Sequence, residues 1–264
     1  DTPYLDLFSG KAEQSDEIIF SIQREPTTGS VGTGHPHNRA LLIKGTSSGD
    51  AWRSIMPTGS LVDAYAMADG RLINEAGSGY NPKDPHKDRD PRFYQSIVYP
   101  TGQIPYLNIE TGILEYRLYD PEDPNTNPVQ LYNAPEPSAT GYMWLKQVDL
   151  STHGFININD CSNDIILIRY ADILLMKAEA LVEVNGVGAK EEVCDLLDML
   201  RIRCGGGLIH RENYTTKEAI INLVRNERRV ELANEGLRYF DLLRWRIAEK
   251  LPVTDGCGLN GELY

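Results

Sequence analysis

The stretch Arg169-Tyr170-Ala171-Asp172-Ile173-Leu174-Leu175-Met176-Lys177-Ala178-Glu179-Ala180 lies inside a segment, residues 165–184, that is apolar almost all round. An apolar segment of this length predicts a helix that is mostly buried. Four of its charged residues are spaced three, seven and four positions apart, which places them on one narrow stripe. They are Arg169, Asp172, Glu179 and Glu183. Asn185-Gly186 ends the helix, since glycine readily adopts the left-handed conformation found after helix C-termini.

Further helices are predicted beyond this one. Residues 193–204 place apolar side chains on one face and end at Gly205-Gly206-Gly207, so the first two helices form an αα-hairpin. Thr215-Thr216-Lys217-Glu218 is a capping-box pattern that predicts a third helix over 217–234. A fourth, over 237–251, either follows it or continues it through Gly236. Paired helices of this length resemble tetratricopeptide hairpins, although no repeat of about 34 residues is visible.

The chain has a different character before residue 160, where glycine, proline and other turn-forming residues are dense. Short strands are predicted at 17–22, 40–43 and 93–99, because these runs are rich in β-branched and aromatic residues and too short for stable helices. Residues 61–67 fit either a helix or a turn.

Composition limits the classes of partner. The 264 residues include 26 basic and 38 acidic side chains, a net charge of −12, which disfavours nucleic acids and anionic membranes. The four cysteines show no C-x-x-C spacing, and no apolar run reaches the roughly 18 residues of a membrane helix. The first residues do not resemble an export signal, so any signal or anchor is expected outside this sequence.

The segment 226–238 carries a stripe of charges at positions 228, 231, 235 and 238. Glu231 and Glu235 raise the hypothesis of a glycoside hydrolase, which uses two carboxyl groups about 5–10 Å apart. Arg228 and Arg238 on the same face are expected to keep both acids ionised, whereas one acid of such a pair must hold a proton. The favoured interpretation is an ion network that ties helix to helix.

Several motifs occur in a characteristic order along the chain. They are Asp16-Glu17-Ile18-Ile19-Phe20-Ser21-Ile22-Gln23, Leu61-Val62-Asp63-Ala64-Tyr65-Ala66-Met67-Ala68-Asp69-Gly70, Arg89-Asp90-Pro91-Arg92-Phe93, Thr140-Gly141-Tyr142, the quoted stretch 169–180, and residues 226–245. In this order they resemble the SusD/RagB-like outer-membrane lipoproteins of Bacteroidetes, which capture glycans for a TonB-dependent transporter. The resemblance covers nearly the whole chain and looks like the C-terminal portion of that family.

This resemblance implies a mainly α fold of tetratricopeptide-like helical hairpins, with an inserted loop-rich region containing short β-strands. Residues 1–160 are expected to be the loop-rich region and 161–264 the C-terminal hairpins of the same domain. The resemblance also implies that the protein binds glycans without catalysis and has a SusC-like TonB-dependent transporter as its partner. The protein is expected to be exposed on the surface of the cell outer membrane, held there by a lipid anchor outside this sequence. A carbohydrate-active hydrolase and a helical-repeat scaffold that binds only protein stay open as alternatives, as does a peptide ligand.

Sugar recognition needs aromatic rings that stack on a pyranose and polar groups that bond its hydroxyls. The loop-rich region offers such rings, and loops on a rigid scaffold often carry specificity. The family's motifs do not locate the ligand, so the candidates rest on residue type and position. They are Trp52, Tyr80, Tyr99, Tyr106 and Trp144.

Two motifs match the residue pattern of a catalytic or cofactor-binding signature, but the sequence around each does not provide the structure that the signature requires. Gly45-Thr46-Ser47-Ser48-Gly49 fits G-x-S-x-G, but the segment after it is halted by Pro57 before a helix can form, and no histidine stands out as a partner. Gly256-Cys257-Gly258-Leu259-Asn260-Gly261 fits a dinucleotide fingerprint but follows a helix instead of a strand.

No metal or other cofactor is expected. Residues 123–134 begin like a calcium loop, but Pro128 stands where glycine is needed. A loosely bound calcium ion near Asp120 and Glu122 stays as an alternative to a solvated turn. His35-Pro36-His37 lacks a third ligand in register and is predicted to be a surface loop.

Overall fold

A computed structural model describes residues 3–28, 32–42, 46–47, 51–52, 54–119 and 140–250. Within these residues the fold is mainly helical, with short strands concentrated before residue 170. The helices are α1 His37–Leu41, α2 Gly59–Ala64, α3 Pro91–Ser96, α4 Thr152–Ile156, α5 Tyr170–Asn185, α6 Lys190–Arg203, α7 Lys217–Glu231 and α8 Arg238–Arg244. The strands are β1 Ile18–Ile22, β2 Ile97–Val98, β3 Gln103–Asn108, β4 Ile113–Leu118, β5 Met143–Trp144 and β6 Ile165–Arg169.

The hairpin of α5 and α6 packs with α7 around one apolar core, as the sequence predicts. On α5 the fully buried positions recur every three or four residues: Ala171, Leu175, Ala178 and Val182. Gly186 follows α5 with φ +57°, and the Thr216 hydroxyl accepts from Ala219 N at the start of α7. The tetratricopeptide-like architecture is confirmed. Gly186 ends α5 and α7 begins at Lys217, as predicted, but the N-cap is Thr216, one residue after the Thr215 that a box closed by Glu218 requires.

The expected helix over 165–184 is wrong in its first turn. Residues 165–169 form β6, which pairs antiparallel with β1, with Ile22 opposite Ile165 and Ile18 opposite Arg169. Periodicity cannot separate a strand from a helix in a short apolar run, and isoleucine favours strands. The helix therefore begins at Tyr170.

Two other predicted strands are mainly helical. Residues 40 and 41 belong to α1, and most of 93–99 belongs to α3, leaving only Ile97–Val98 as a strand that pairs with β5. The side chain of Asp90 accepts from Arg92 N and Pro91 occupies the first turn, so a capped helix start outweighs the aromatic composition. The ambiguous segment 61–67 is a helix as far as Ala64.

The third and fourth helices are separate. The helix α7 ends at Glu231, earlier than the predicted residue 234, and Asn234 and Gly236 have φ of +61° and +77°. The helix α8 begins at Arg238 and ends at Arg244. Glu235 consequently lies in the connection between the two helices and not on a helix face.

The described residues form three two-stranded antiparallel sheets, β1–β6, β2–β5 and β3–β4, of which only β6 lies beyond residue 160. The largest apolar core gathers residues from α1 to Ile158, just after α4, and also Val230 and Ala233 from the helical region. Sequence-distant segments therefore share one core. No helix within the described ranges combines the length and apolar character needed to cross a membrane.

Candidate functional site

The charged stripe forms a buried ionic cluster. The carboxylate of Glu231 accepts from Arg92 at 2.8 Å, Arg169 at 2.7 Å and Arg203 at 2.5 Å, and its side chain is fully buried. Burial alone would raise the pKa of Glu231, but Arg169, Arg203 and Arg92 hold it well below its usual value. Glu231 is thus a buried anion that joins α7 to α3, α6 and β6.

Glu235 belongs to the same cluster. It accepts from Lys146 Nζ and Arg169 Nη2, each at 2.7 Å, and these cations lower its pKa against the opposing effect of burial. Neither acid of the suspected hydrolase pair can hold a proton near neutral pH in this setting. The interpretation as an ion network is confirmed.

The expected partners within the stripe are wrong. Arg228 donates to Asp172 at 2.8 Å and to Asp241 at 3.1 Å, and so joins α7 to α5 and α8. The cations on Glu231 and Glu235 come from other elements, which spacing along α7 cannot reveal.

A second feature is an aromatic group, here called the tyrosine cluster. Its rings pack by tilted, stacked and edge-on contacts with centroids 4.9–6.0 Å apart, within the range favoured for aromatic pairs. Phe93 is fully buried at the centre, whereas Tyr99 is half-buried. The rings in contact are those of His86, Phe93, Tyr94, Tyr99 and Tyr142, and Tyr80 is counted with the cluster because Arg89 lies against its ring.

Arg89 fixes the loop that carries Tyr80 and His86. Its buried guanidinium donates to the carbonyls of Val62 at 2.7 Å, Tyr65 at 2.8 Å and Pro85 at 2.7 Å. The guanidinium carbon also lies 5.6 Å from the ring centre of Tyr80 and 5.4 Å from that of Phe93. A single side chain therefore ties α2, the loop and the aromatic rings into one rigid unit.

Polar groups border the tyrosine cluster. His86 Nε2 lies 3.0 Å from the Tyr142 hydroxyl, and burial together with Arg89 lowers the pKa of His86 to about 4, so the imidazole is neutral at pH 7. Burial raises the pKa of Tyr142, and the charge of Asp63 on α2 adds to that effect. Burial and the charge of Asp63 also raise the pKa of Tyr80. The exposed Asp63 is thus near enough for its charge to act on two tyrosines.

A third feature is a cleft of about 270 Å³, here called the Trp144 cavity. The indole of Trp144 is 7% exposed, and its Nε1 has no hydrogen-bond partner among the described residues. Leaving a buried donor unpaired costs about 1–3 kcal/mol. The cavity is lined by Met56, Pro57, Thr58, Leu61, Trp144, Arg229, Ala233, Asn234, Arg238 and Leu242.

The five candidate rings are not gathered at one place. Tyr80 and Tyr99 share the tyrosine cluster, and Trp144 lines its own cavity. Trp52 is 60% exposed with Arg39 stacked 3.7 Å from its ring centre. Tyr106 lies on β3 with Arg117 of β4 stacked 3.5 Å from its ring centre. For all five, contact with a ligand stays a prediction.

Sequence reasoning missed His86, Tyr94 and Tyr142 as members of the tyrosine cluster. His86 lies in a loop without periodicity, and Tyr142 is brought to it across 56 residues. Asp63 and Arg229 were missed as well, because neither follows a recognisable site motif.

The structure describes only part of the remaining motifs. Ser47 is buried, while Gly45, Ser48 and Gly49 lie outside the described residues, as do the calcium-like loop and residues 256–261. The prediction of a surface loop at His35-Pro36-His37 is wrong for His35, which is buried with Nε2 2.8 Å from the Asn163 carbonyl. Among the described residues, no group of three or more His, Cys, Asp or Glu could hold a metal ion.

Comparison with known proteins identifies the family to which this chain of helical hairpins and loops is similar. The model of the SusD family matches residues 16–254. The chain belongs to the SusD family. Among curated SusD-family proteins, SusD-like protein P38 of Formosa agariphila is 36% identical over 103 residues, covering 36% of this chain and 20% of that protein. SusD-like protein P2 of the same organism is 32% identical over 104 residues, covering 38% and 20%.

Solved SusD-like structures match most of the chain. A SusD-like carbohydrate binding protein from Bacteroides fragilis is 27% identical with a TM-score of 0.70, covering 94% of this chain and 45% of its own. A second SusD-like protein from Bacteroides fragilis is 26% identical with a TM-score of 0.67, covering 94% and 47%. The chain therefore spans less than half the length of these two SusD-like structures.

Proposed function

We propose that this chain is part of a non-catalytic, cell-surface glycan-binding protein and that the tyrosine cluster is one of its sugar contacts. The observation that carries the proposal is the pair of half-buried rings, Tyr80 and Tyr99, held in place by Arg89 and Phe93. Family membership supports it, and the Bacteroides fragilis relative at 27% identity is a carbohydrate binding protein.

The chemistry of the tyrosine cluster suits a pyranose. A sugar ring presents C–H groups to an aromatic face and hydroxyls at its edge, and tyrosine offers an apolar face with a hydroxyl. Asp63 adds an acceptor for sugar hydroxyls beside Tyr80 and Tyr142. Because the rings are fixed before binding, little ordering entropy is lost. We expect weak to moderate affinity for a single site, increasing with ligands that reach several contacts.

Binding without hydrolysis is the favoured form of this function. A glycosidase needs one carboxyl group that holds a proton and a second that is ionised. Glu231 and Glu235 are both held ionised and lie among buried cations. Their chemistry supports a structural role.

The transporter partnership and the lipid anchor follow from the resemblance and are part of the same proposal. A surface lipoprotein that captures glycan would pass it to a SusC-like TonB-dependent transporter in the outer membrane. Purification of the tagged protein from its native membrane tests the partnership: recovery of a transporter supports it, and recovery of the protein alone contradicts it.

Calorimetry against a panel of neutral and charged polysaccharides tests glycan binding. We expect Tyr80→Ala and Tyr99→Ala each to weaken binding about fivefold, the loss of roughly 1 kcal/mol of stacking. Tyr170→Ala is the matched control, because its exposed ring lies at the start of α5 and is not one of the five candidate rings. Absence of binding to every glycan, or equal binding by all variants, contradicts the proposal. Release of shorter products from a bound glycan would instead favour a hydrolase.

A further inference from the structure

The loop that leads to Tyr80 begins against the end of α6 and the connection from α6 to α7. Arg201 Nη1, near the end of α6, donates to the Gly70 carbonyl at 2.9 Å. His210 Nε2, in the connection, lies 3.1 Å from the carbonyl oxygen of Asp69. The helical region therefore fixes the start of this loop.

Tyr214 carries the same anchoring further along the loop. Its hydroxyl donates to Glu75 Oε1 at 2.7 Å, and Glu75 Oε2 accepts from Leu72 N at 3.0 Å. Tyr214 is buried in the core formed with α5, α6 and α7. Burial and the bond to Glu75 raise the pKa of Tyr214, so its hydroxyl keeps its proton and remains a donor at neutral pH.

Hydrogen bonds continue from Glu75 to the main chain of Tyr80. The Glu75 carbonyl accepts from Ser78 N at 3.2 Å. The Ser78 hydroxyl donates to the Ile73 carbonyl at 3.1 Å and accepts from Tyr80 N at 3.4 Å. A continuous series of hydrogen bonds thus connects the Tyr214 hydroxyl with Tyr80.

The residues around Ser78 depend on these bonds for their conformation. Gly77 and Gly79 have φ of +78° and +72°, and a Cβ added at either would meet no atom of the described chain within 4 Å. Glycine has many accessible conformations, and neither position is restrained by packing of a side chain. The hydrogen bonds of Glu75 and Ser78 select the conformation that brings Tyr80 over Arg89, whose guanidinium carbon lies 5.6 Å from the ring centre.

We propose that Tyr214 and Glu75 are positioning residues for the sugar contact at Tyr80, and that they place this contact under the control of the α6–α7 connection. This deepens the proposed glycan-binding function and rests on it. A loop that is already ordered loses little entropy on binding, whereas a loop released from Tyr214 must be ordered by the glycan.

Calorimetry of a double-mutant cycle tests the proposal on the 264-residue chain, with amylopectin, xyloglucan, laminarin and polygalacturonate as probes. For each probe that binds, Tyr214→Phe should weaken binding about threefold, less than removal of the Tyr80 ring itself. In a Tyr80→Ala background Tyr214→Phe should cause no further loss, because the two residues act as a unit. In a Tyr99→Ala background the threefold loss should persist.

Hydrogen exchange without any glycan gives a second measurement. Peptides covering residues 71–80 should exchange about tenfold faster in Tyr214→Phe, since a hydrogen bond to a carboxylate is lost. Ser78→Ala, which removes the last bond to Tyr80 at the surface, should weaken binding in the same way. Tyr4→Phe is the matched control: it also removes a buried hydroxyl, one that donates to the Glu231 carbonyl at 2.9 Å, and should change neither measurement.

Unchanged exchange of residues 71–80 in Tyr214→Phe overturns the proposal. An equal loss of affinity with and without the Tyr80 ring also overturns it, because a general loss of stability would act in both backgrounds. Wild-type binding that persists in either case leaves the glycan-binding function intact. Absence of binding by the wild-type chain is a different result, which contradicts the glycan-binding function itself and the positioning role with it.

Discussion

Arg169 holds Glu231 twice: its Nη1 donates to the carboxylate at 2.7 Å and its Nη2 donates to the main-chain carbonyl at 2.7 Å. The second bond satisfies a carbonyl at the C-terminus of α7, where helices lack internal partners. One side chain at the end of β6 therefore both neutralises the buried acid and caps the helix that carries it.

Replacing Arg169 with Met should destabilise the protein by about 3–5 kcal/mol, because it leaves buried carboxylates without their cation. Urea unfolding measures the loss. Lys177→Met is the control: Lys177 pairs with Glu192 at the surface, where an ion pair contributes about 0–1 kcal/mol. Equal effects of the two substitutions would refute a dominant role for the ionic cluster.

Stability should fall in acid because of Glu235. Its pKa is lowered in the folded state, so its contribution is complete above the unfolded pKa of about 4.3 and is lost as pH falls through the folded pKa. The difference in unfolding free energy between wild type and Glu235→Gln should shrink as pH falls from about 5 toward 2. A difference that stays constant over this interval would exclude the linkage.

Lys146 should also make stability rise with pH, but over an alkaline range. Burial, partly offset by Glu235, lowers its pKa to about 8. Above pH 8 the folded state releases a proton that the unfolded chain keeps until about pH 10.4, so the contribution of Lys146 to stability rises over this range. Unfolding free energies of wild type and Lys146→Met between pH 7 and pH 10 measure it. A wild-type curve parallel to that of the variant would contradict the expectation.

Gly70 should tolerate no side chain. Its φ is +95°, and a Cβ there would lie 2.0 Å from the Leu208 carbonyl oxygen. Gly77 has a similar φ of +78° but open space around it. Gly77→Ala should therefore cost about 1–2 kcal/mol of backbone strain, and Gly70→Ala about 1–3 kcal/mol more for the displaced backbone. Thermal unfolding of the two variants measures both losses of stability. Equal losses would show that the backbone shifts and relieves the contact between the new Cβ and the Leu208 carbonyl oxygen.

The sequence predicts the elements whose signals are local. The start of α7 follows from the Thr216 cap, and the end of α5 follows from Gly186. The strand β6 could not be predicted, because its partner β1 lies more than 140 residues earlier and the run itself fits either structure.

The candidate site is less predictable for the same reason. Residue type alone made Tyr80, Tyr99 and Trp144 candidates, but the positions of Tyr80 against Arg89 and of Trp144 against Leu61 of α2 depend on the tertiary fold. Arg92 shows the limit of local patterns: its buried partners Glu227 and Glu231 are 135 and 139 positions away. No periodicity along the chain brings these residues together.

The ionic cluster also has a consequence for how the molecule folds. Its members span nearly the whole described chain, from Glu17, which accepts from Arg169 and Arg203, to Glu235. Until the first and last members of the cluster meet, each of its charged groups remains hydrated. Desolvation and ion pairing must therefore occur together, at a late stage of folding. Such folding is slow, because the entropy of closing long loops is lost before the contacts between distant residues form. A shortened copy without its first 20 residues would lack Glu17 and should populate an intermediate with native-like helices and an open charged interior.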